Sequence, residues 1–104
     1  MAQQQILKVE VQKAMDLISD PKHWTTKANG RDRHGKITLT RDADAVCWCA
    51  LGAVIRINSK NGVLIVKLLN VTAKELGYPT ITALNDFGGH EVVMQVFGLT
   101  IAKL

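Results

Sequence analysis

From Ala45 to Ile55 the chain runs for eleven residues without a polar side chain, and this stretch restricts the fold more than any other feature. It falls well short of the roughly 18 to 20 residues that a membrane-spanning helix requires. A helix apolar all round is buried all round, so the run predicts a helix from Ala45 to Ile57 at the centre of the protein. Asp42 and Asp44 stand just before it, where either carboxylate can cap a helix and favour its positive end. Ala50, Gly52 and Ala53 are small enough to let neighbouring helices approach closely, and Arg56 and Asn58 mark where the helix reaches water.

Other segments supply helices to cover it. Between residues 5 and 19, Leu7, Val11, Ala14, Met15 and Ile18 recur at helical spacing, and the helix must stop at Asp20-Pro21 because a residue before proline is pushed out of helical geometry. Ile65, Leu68, Leu69, Ala73 and Leu76 predict a helix over Gly62–Gly77, with Asn61 as candidate cap and Pro79 beyond. Its opening run, Val63-Leu64-Ile65-Val66, is also β-prone. Thr80 to Leu84 predicts one further helical turn, and Asn85-Asp86-Phe87-Gly88-Gly89 reads as a break. Val93, Val96, Phe97, Ile101 and Leu104 then predict a C-terminal helix.

From Lys22 to Asp44 no period is sustained, and Asn29-Gly30 and His34-Gly35 are turn dipeptides. At most a short strand at Ile37–Thr40 is expected there. The predicted fold is therefore mostly α: a small single domain over residues 1–104, about four helices around the central apolar helix, with a long basic loop after helix 1. Val11, Ile18, Val46, Leu51, Val54, Leu68, Leu69, Phe97 and Ile101 are its expected core. At 104 residues the chain has room for one such core.

Charge is uneven. Lys22, Lys27, Arg31, Arg33, Lys36 and Arg41 face only Asp32 between residues 22 and 41, within a net charge of +4. Such a loop attracts an anionic partner, nucleic acid included, but a solvated face is the simpler reading. Met1 to Gln5 has no basic cluster followed by an apolar run, so it predicts no secretory leader and a cytoplasmic address, with no membrane partner.

Cys47 and Cys49 are too close in sequence for an unstrained disulfide. With His23, His34 and His90 they suggest zinc, but on a helix a Cys-x-Cys pair points its thiols about 200° apart, so no metal and no cofactor are expected. A thiol hydrolase is the sharper alternative: Cys47 at a helix start as nucleophile, His90 as base, Asn85 or Asp86 to orient it. Asn85-Asp86 and Gly88-Gly89-His90 read first as a turn that caps the last helix, and second as the wall of a polar pocket shared with Trp24 and the basic loop. Trp24 is expected to pin that loop, burying its ring and offering its indole N–H to an acceptor. Phosphate-loop and dinucleotide motifs do not occur.

Three motifs stand in order along nearly the whole chain: Trp24-Thr25 before the basic, glycine-containing loop; Ala-Val-Cys-Trp-Cys-x-x-Gly-Ala over Ala45 to Ala53; and Asn85-Asp86 before a glycine and a terminal helix. Together they resemble a family of small bacterial and phage proteins of unknown function. The resemblance implies a phage or mobile-element source and no catalytic residue or cofactor. By elimination the expected function is non-enzymatic, a binding or regulatory protein whose partner, most simply another protein, meets Trp24, Lys27, Arg31, Arg33, Asn85, Asp86 and His90. The Cys-His hydrolase is the second candidate, and nucleic-acid binding through residues 22–41 the third.

Overall fold

The computed structural model describes residues 2–104; Met1, the first residue of the stretch considered for a leader, lies outside them. Helix α1 (Ala2–Leu17) buries Leu7, Val11 and Ala14, the stripe its periodicity predicts. Asp20 ends the segment as the proline rule requires, and its carboxylate accepts from the Lys22 N–H at 2.9 Å to cap a single 3-10 turn, Pro21–His23. The long loop follows. It holds strand β1 (Gly30–Arg31), which pairs antiparallel with β2 (Cys47–Trp48), Gly30 opposite Trp48 and Arg31 opposite Cys47. Ile37 makes only an isolated bridge to Arg31, so the strand expected at Ile37–Thr40 is displaced to residues 30 and 31.

The central helix is shorter than predicted. Helix α2 spans Ala50–Ile57, while Ala45 to Cys49 is not helical. The reason is tertiary pairing of the backbone: the Val46 N–H donates to the Arg31 carbonyl at 2.9 Å, and the Trp48 carbonyl, which a helix from Ala45 would offer to the Gly52 N–H, accepts from the Thr25 N–H at 3.1 Å. Val46 and Trp48 also belong to the residue types that favour strands. Val46, the residue before β2, is 38% exposed, so it leaves the expected core. Neither Asp42 nor Asp44 caps α2; Asp42 instead accepts from the Asp44 N–H within its own turn.

Helix α3 (Gly62–Glu75) follows the Asn58–Asn61 turn, and Asn61 stands at its N-cap without a side-chain capping bond. It ends where Gly77 takes φ +93°, a conformation glycine adopts freely. The single turn expected after Pro79 is a full helix, α4 (Ile81–Gly88), capped by the Thr80 hydroxyl, and α5 (His90–Ala102) follows after Gly89. Asn85 and Asp86 therefore lie inside a helix, where a break was predicted.

Both α2 and α5 pack against α1, α3 and α4, so the protein has two central helices. Val11, Ile18, Val54, Leu69 and Phe97 are buried as expected, together with Ile65, Ile81, Leu84, Val93 and Val96. Leu51, Leu68 and Ile101 are half-buried at its edge. Among the described residues no helix is long and apolar enough to cross a membrane.

Candidate functional site

Asn85 is fully buried, and every hydrogen-bonding group of its amide has a partner. Its Oδ1 accepts from Trp24 Nε1 at 2.8 Å and from the Ala50 N–H at 2.9 Å. Its Nδ2 donates to the Thr25 carbonyl and to Asp86 Oδ1, each at 3.1 Å. The same Asp86 oxygen accepts from the N–H of Lys27, whose φ of +62° turns the chain toward α4. One amide thus joins the start of the loop, the first N–H of α2 and the body of α4. A buried polar group is costly unless bonded, so full satisfaction is what lets Asn85 sit there.

The Cys-Trp-Cys segment belongs to the same construction. Cys49 is the N-cap of α2: its Sγ accepts from the Gly52 N–H at 3.2 Å and lies 3.5 Å from Asn29 Oδ1, to which the thiol donates. Burial pushes the Cys49 thiol above its ordinary value, the Asp86 charge adds to the rise, and the Gly52 and Leu51 N–H groups oppose it. A thiol held protonated and used as a cap is a poor nucleophile. Gly52 lets the loop backbone reach α2, because a Cβ there would lie 1.8 Å from the Asn29 carbonyl oxygen. Trp48 fastens the loop's far end, donating from Nε1 to the Thr40 carbonyl at 2.9 Å beneath the Arg56 guanidinium, which stands 5.2 Å from the ring centroid.

The residues weighed for catalysis are drawn into this framework separately. Cys47 is half-buried, with Sγ 3.9 Å from the Arg31 carbonyl. His90 donates from Nε2 to the Ile18 carbonyl at 2.8 Å and meets the Trp24 ring edge-on, centroids 5.4 Å apart. The two share no hydrogen bond. His23 is turned to the Val46 carbonyl and His34 to Arg33, so the histidines considered for zinc are dispersed. The helical geometry invoked against a metal does not apply, since Cys47 lies in β2 and Cys49 at a cap; among the described residues no cluster of three ligating side chains forms.

The basic loop divides. Arg31 is not a solvated charge: its guanidinium donates to Thr25 Oγ1 at 3.0 Å, the Gly35 carbonyl at 2.9 Å and the Thr26 carbonyl at 3.2 Å. Asp32 folds a turn by accepting from the Lys36 and His34 N–H groups, and the Lys36 bond above all holds its carboxyl below the usual range. Lys22, Lys27, Arg33 and Lys36 remain exposed. Of the residues predicted to bind, Trp24, Arg31, Asn85, Asp86 and His90 thus bond internally, while the Lys27 and Arg33 side chains face water.

A different surface is open. Between α2 and α3 lies a groove of about 470 Å³ walled by Leu51, Val54, Ile55, Val63 and Val66, with Arg41, Lys60 and Lys67 along its rim. Val63 is 73% exposed and Ile55 40%. The sequence carried one sign of it: four consecutive apolar residues, Val63 to Val66, cannot all face inward at 100° per residue. Ile65 is buried, and Val63 is left outside.

A family model described as a family of unknown function, DUF6197, matches residues 5–103. The chain belongs to that family. Comparisons with curated proteins and with solved structures found no match. In this DUF6197 chain, Trp24-Thr25, the Ala45–Ala53 segment and Asn85-Asp86 converge on one network, through Asn85 Oδ1 and Nδ2, the Ala50 N–H and the Cys49 cap. Their arrangement positions a loop. Missed from the sequence were Cys49 as a cap, Asn29 as its partner and the groove; for the cap, the local hint was the glycine three residues after Cys49.

Proposed function

We propose that this chain is a non-catalytic, cytoplasmic protein-binding module whose docking surface is the α2–α3 groove. The groove itself carries this reading: five apolar side chains from two adjoining helices line one open concavity, and Val63 and Ile55 stand in water. Contiguous exposed apolar surface rimmed by polar groups marks interaction sites. The engagement of Asn85 and His90 in structural hydrogen bonds, with His90 turned to the Ile18 carbonyl and not to Cys47, supports a binding role over the Cys47–His90 hydrolase. Two free thiols accord with a reducing compartment.

The test is selection of binders from an unrestricted displayed-peptide library, followed by amide chemical-shift mapping. Shifts confined to residues 51–67 and lost in Val63→Glu are expected; the substitution places a carboxylate in the first turn of α3, where a helix tolerates it. Binders that map to residues 22–41 would move the docking surface to the loop.

Nucleic-acid binding is the second reading, favoured by the exposure of Lys22, Lys27, Arg33 and Lys36 on one loop. It predicts affinity for a short duplex or RNA that falls steeply with salt and disappears on charge reversal at Arg33 and Lys36.

A further inference from the structure

We infer that the partner segment received by the α2–α3 groove is an acidic amphipathic helix of another protein, an inference that rests on the binding role proposed above. Charge gives the sign. Arg41, Lys60 and Lys67 line the groove and no carboxylate does. Arg41 is held at the rim by the bond from Nη1 to Asn58 Oδ1 at 3.0 Å. Glu10 of α1 reaches one lining residue, bonding the Ser59 hydroxyl and Asn61 Nδ2, which leaves the cations of the lining in excess. An occupant bearing Asp or Glu beside its apolar face meets three cations, and one bearing Lys or Arg meets repulsion.

The walls give the conformation. Both are α-helices whose backbone groups are bonded within the helices, so the groove offers no strand edge to pair with. A segment lying on these apolar side chains must satisfy its own N–H and C=O groups, which a helix does and an extended peptide does not. The size fits. Helix α2 has eight residues, a length of about 12 Å, which faces roughly two turns of a partner helix and anchors at i, i+3 or i+4, and i+7.

Openness gives the class of molecule. Small-molecule sites bury some 70–90% of their ligand, whereas this groove leaves Val63 three-quarters in water. A macromolecular segment covers such a surface without entering it.

The experiment uses the full chain and a displayed library of helical peptides, with apolar residues varied at the anchor positions and Glu or Lys allowed equally on the flanks. Enriched sequences are expected to be Glu-rich and to bind at least tenfold more weakly at 0.5 M than at 0.05 M salt. They are also expected to lose at least tenfold in affinity on Lys60→Glu/Lys67→Glu, a pair of exposed sites, and that variant should enrich Lys-rich sequences instead. Peptides displaced by Val63→Glu but showing no acidic preference would overturn this inference and leave the binding role standing. Absence of any peptide sensitive to Val63→Glu would overturn both. A fluorescent fatty acid that binds and is displaced by Val63→Glu, or a dimer in sedimentation that the same substitution dissociates, would reassign the groove.

Discussion

Trp24 and Asn85 stand 61 positions apart in the chain, and the indole Nε1 donates to the Asn85 Oδ1 at 2.8 Å. The same oxygen receives the first N–H of α2, so the loop that follows α1 and the helix that carries the Cys49 cap are registered against a single atom of α4. The long loop is thereby tied to the helical framework at its start, at Asn29 and at Trp48.

Asn85→Ala should cost about 3–4 kcal/mol, because it strands the Trp24 indole N–H, the Ala50 N–H and the Thr25 carbonyl, and each buried group left unbonded costs roughly 1–3 kcal/mol. Urea unfolding measures it. Asn85→Asp keeps the acceptor but loses both donors beside Asp86, and should be destabilising as well. A loss below about 1 kcal/mol in the alanine variant would mean the network is not what holds the loop.

Two glycines should respond in opposite directions to alanine. Gly52→Ala forces a methyl group against the Asn29 carbonyl and should destabilise by more than about 2 kcal/mol while freeing the loop to proteolysis. Gly98 lies within α5 with nothing within 4 Å of an added Cβ, so Gly98→Ala should stabilise by about 0.5–1 kcal/mol. Thermal unfolding of the pair separates crowding from conformational entropy.

Charge reversal in the basic loop should be strongly position-dependent. Arg33→Glu and Lys36→Glu remove exposed charges and should shift stability by less than about 1 kcal/mol each. Arg31→Glu removes three hydrogen bonds, two of them to loop carbonyls, and should cost more than both together. Equal effects at the three positions would return Arg31 to the solvated face on which the sequence places it.

The pH dependence of stability should carry a Cys49 component. Burial raises the thiol's folded-state value above its unfolded one. In the window between those values the unfolded chain binds fewer protons, so the contribution is intact below the ordinary thiol value of about 8.5 and is lost as pH rises past it. Cys49→Ser keeps an N-cap oxygen without a titration in that range. Denaturation from about pH 7 to 10 should show a steeper decline for the native protein than for Cys49→Ser, and parallel curves would exclude the thiol as the cause.

Periodicity made α1, α3 and α5 legible because a helix is a local object, and the side chains that form its buried stripe lie three and four residues apart. The same logic failed at Ala45 to Cys49. An uninterrupted apolar run has no period with which to separate a buried helix from a strand, and the choice was made by Gly30, Arg31 and Thr25, whose backbone groups pair with the segment in an extended conformation. Asn85-Asp86 beside Phe87-Gly88-Gly89 carries the composition of a turn; only the fold supplies the buried N–H donors and the carbonyl that stabilise an asparagine inside α4. Composition likewise made Arg31 one cation among six, and the turn around it made it a hydrogen-bonding centre. The sequence by itself determined a mostly helical domain, the stripes of its long helices and the bond-seeking role of Trp24. Tertiary structure decided where the central helix begins, which polar groups are buried and which apolar residues stay in water, because each depends on partners distant in the chain, from 16 to 61 positions away in the bonds of Cys47 and Asn85.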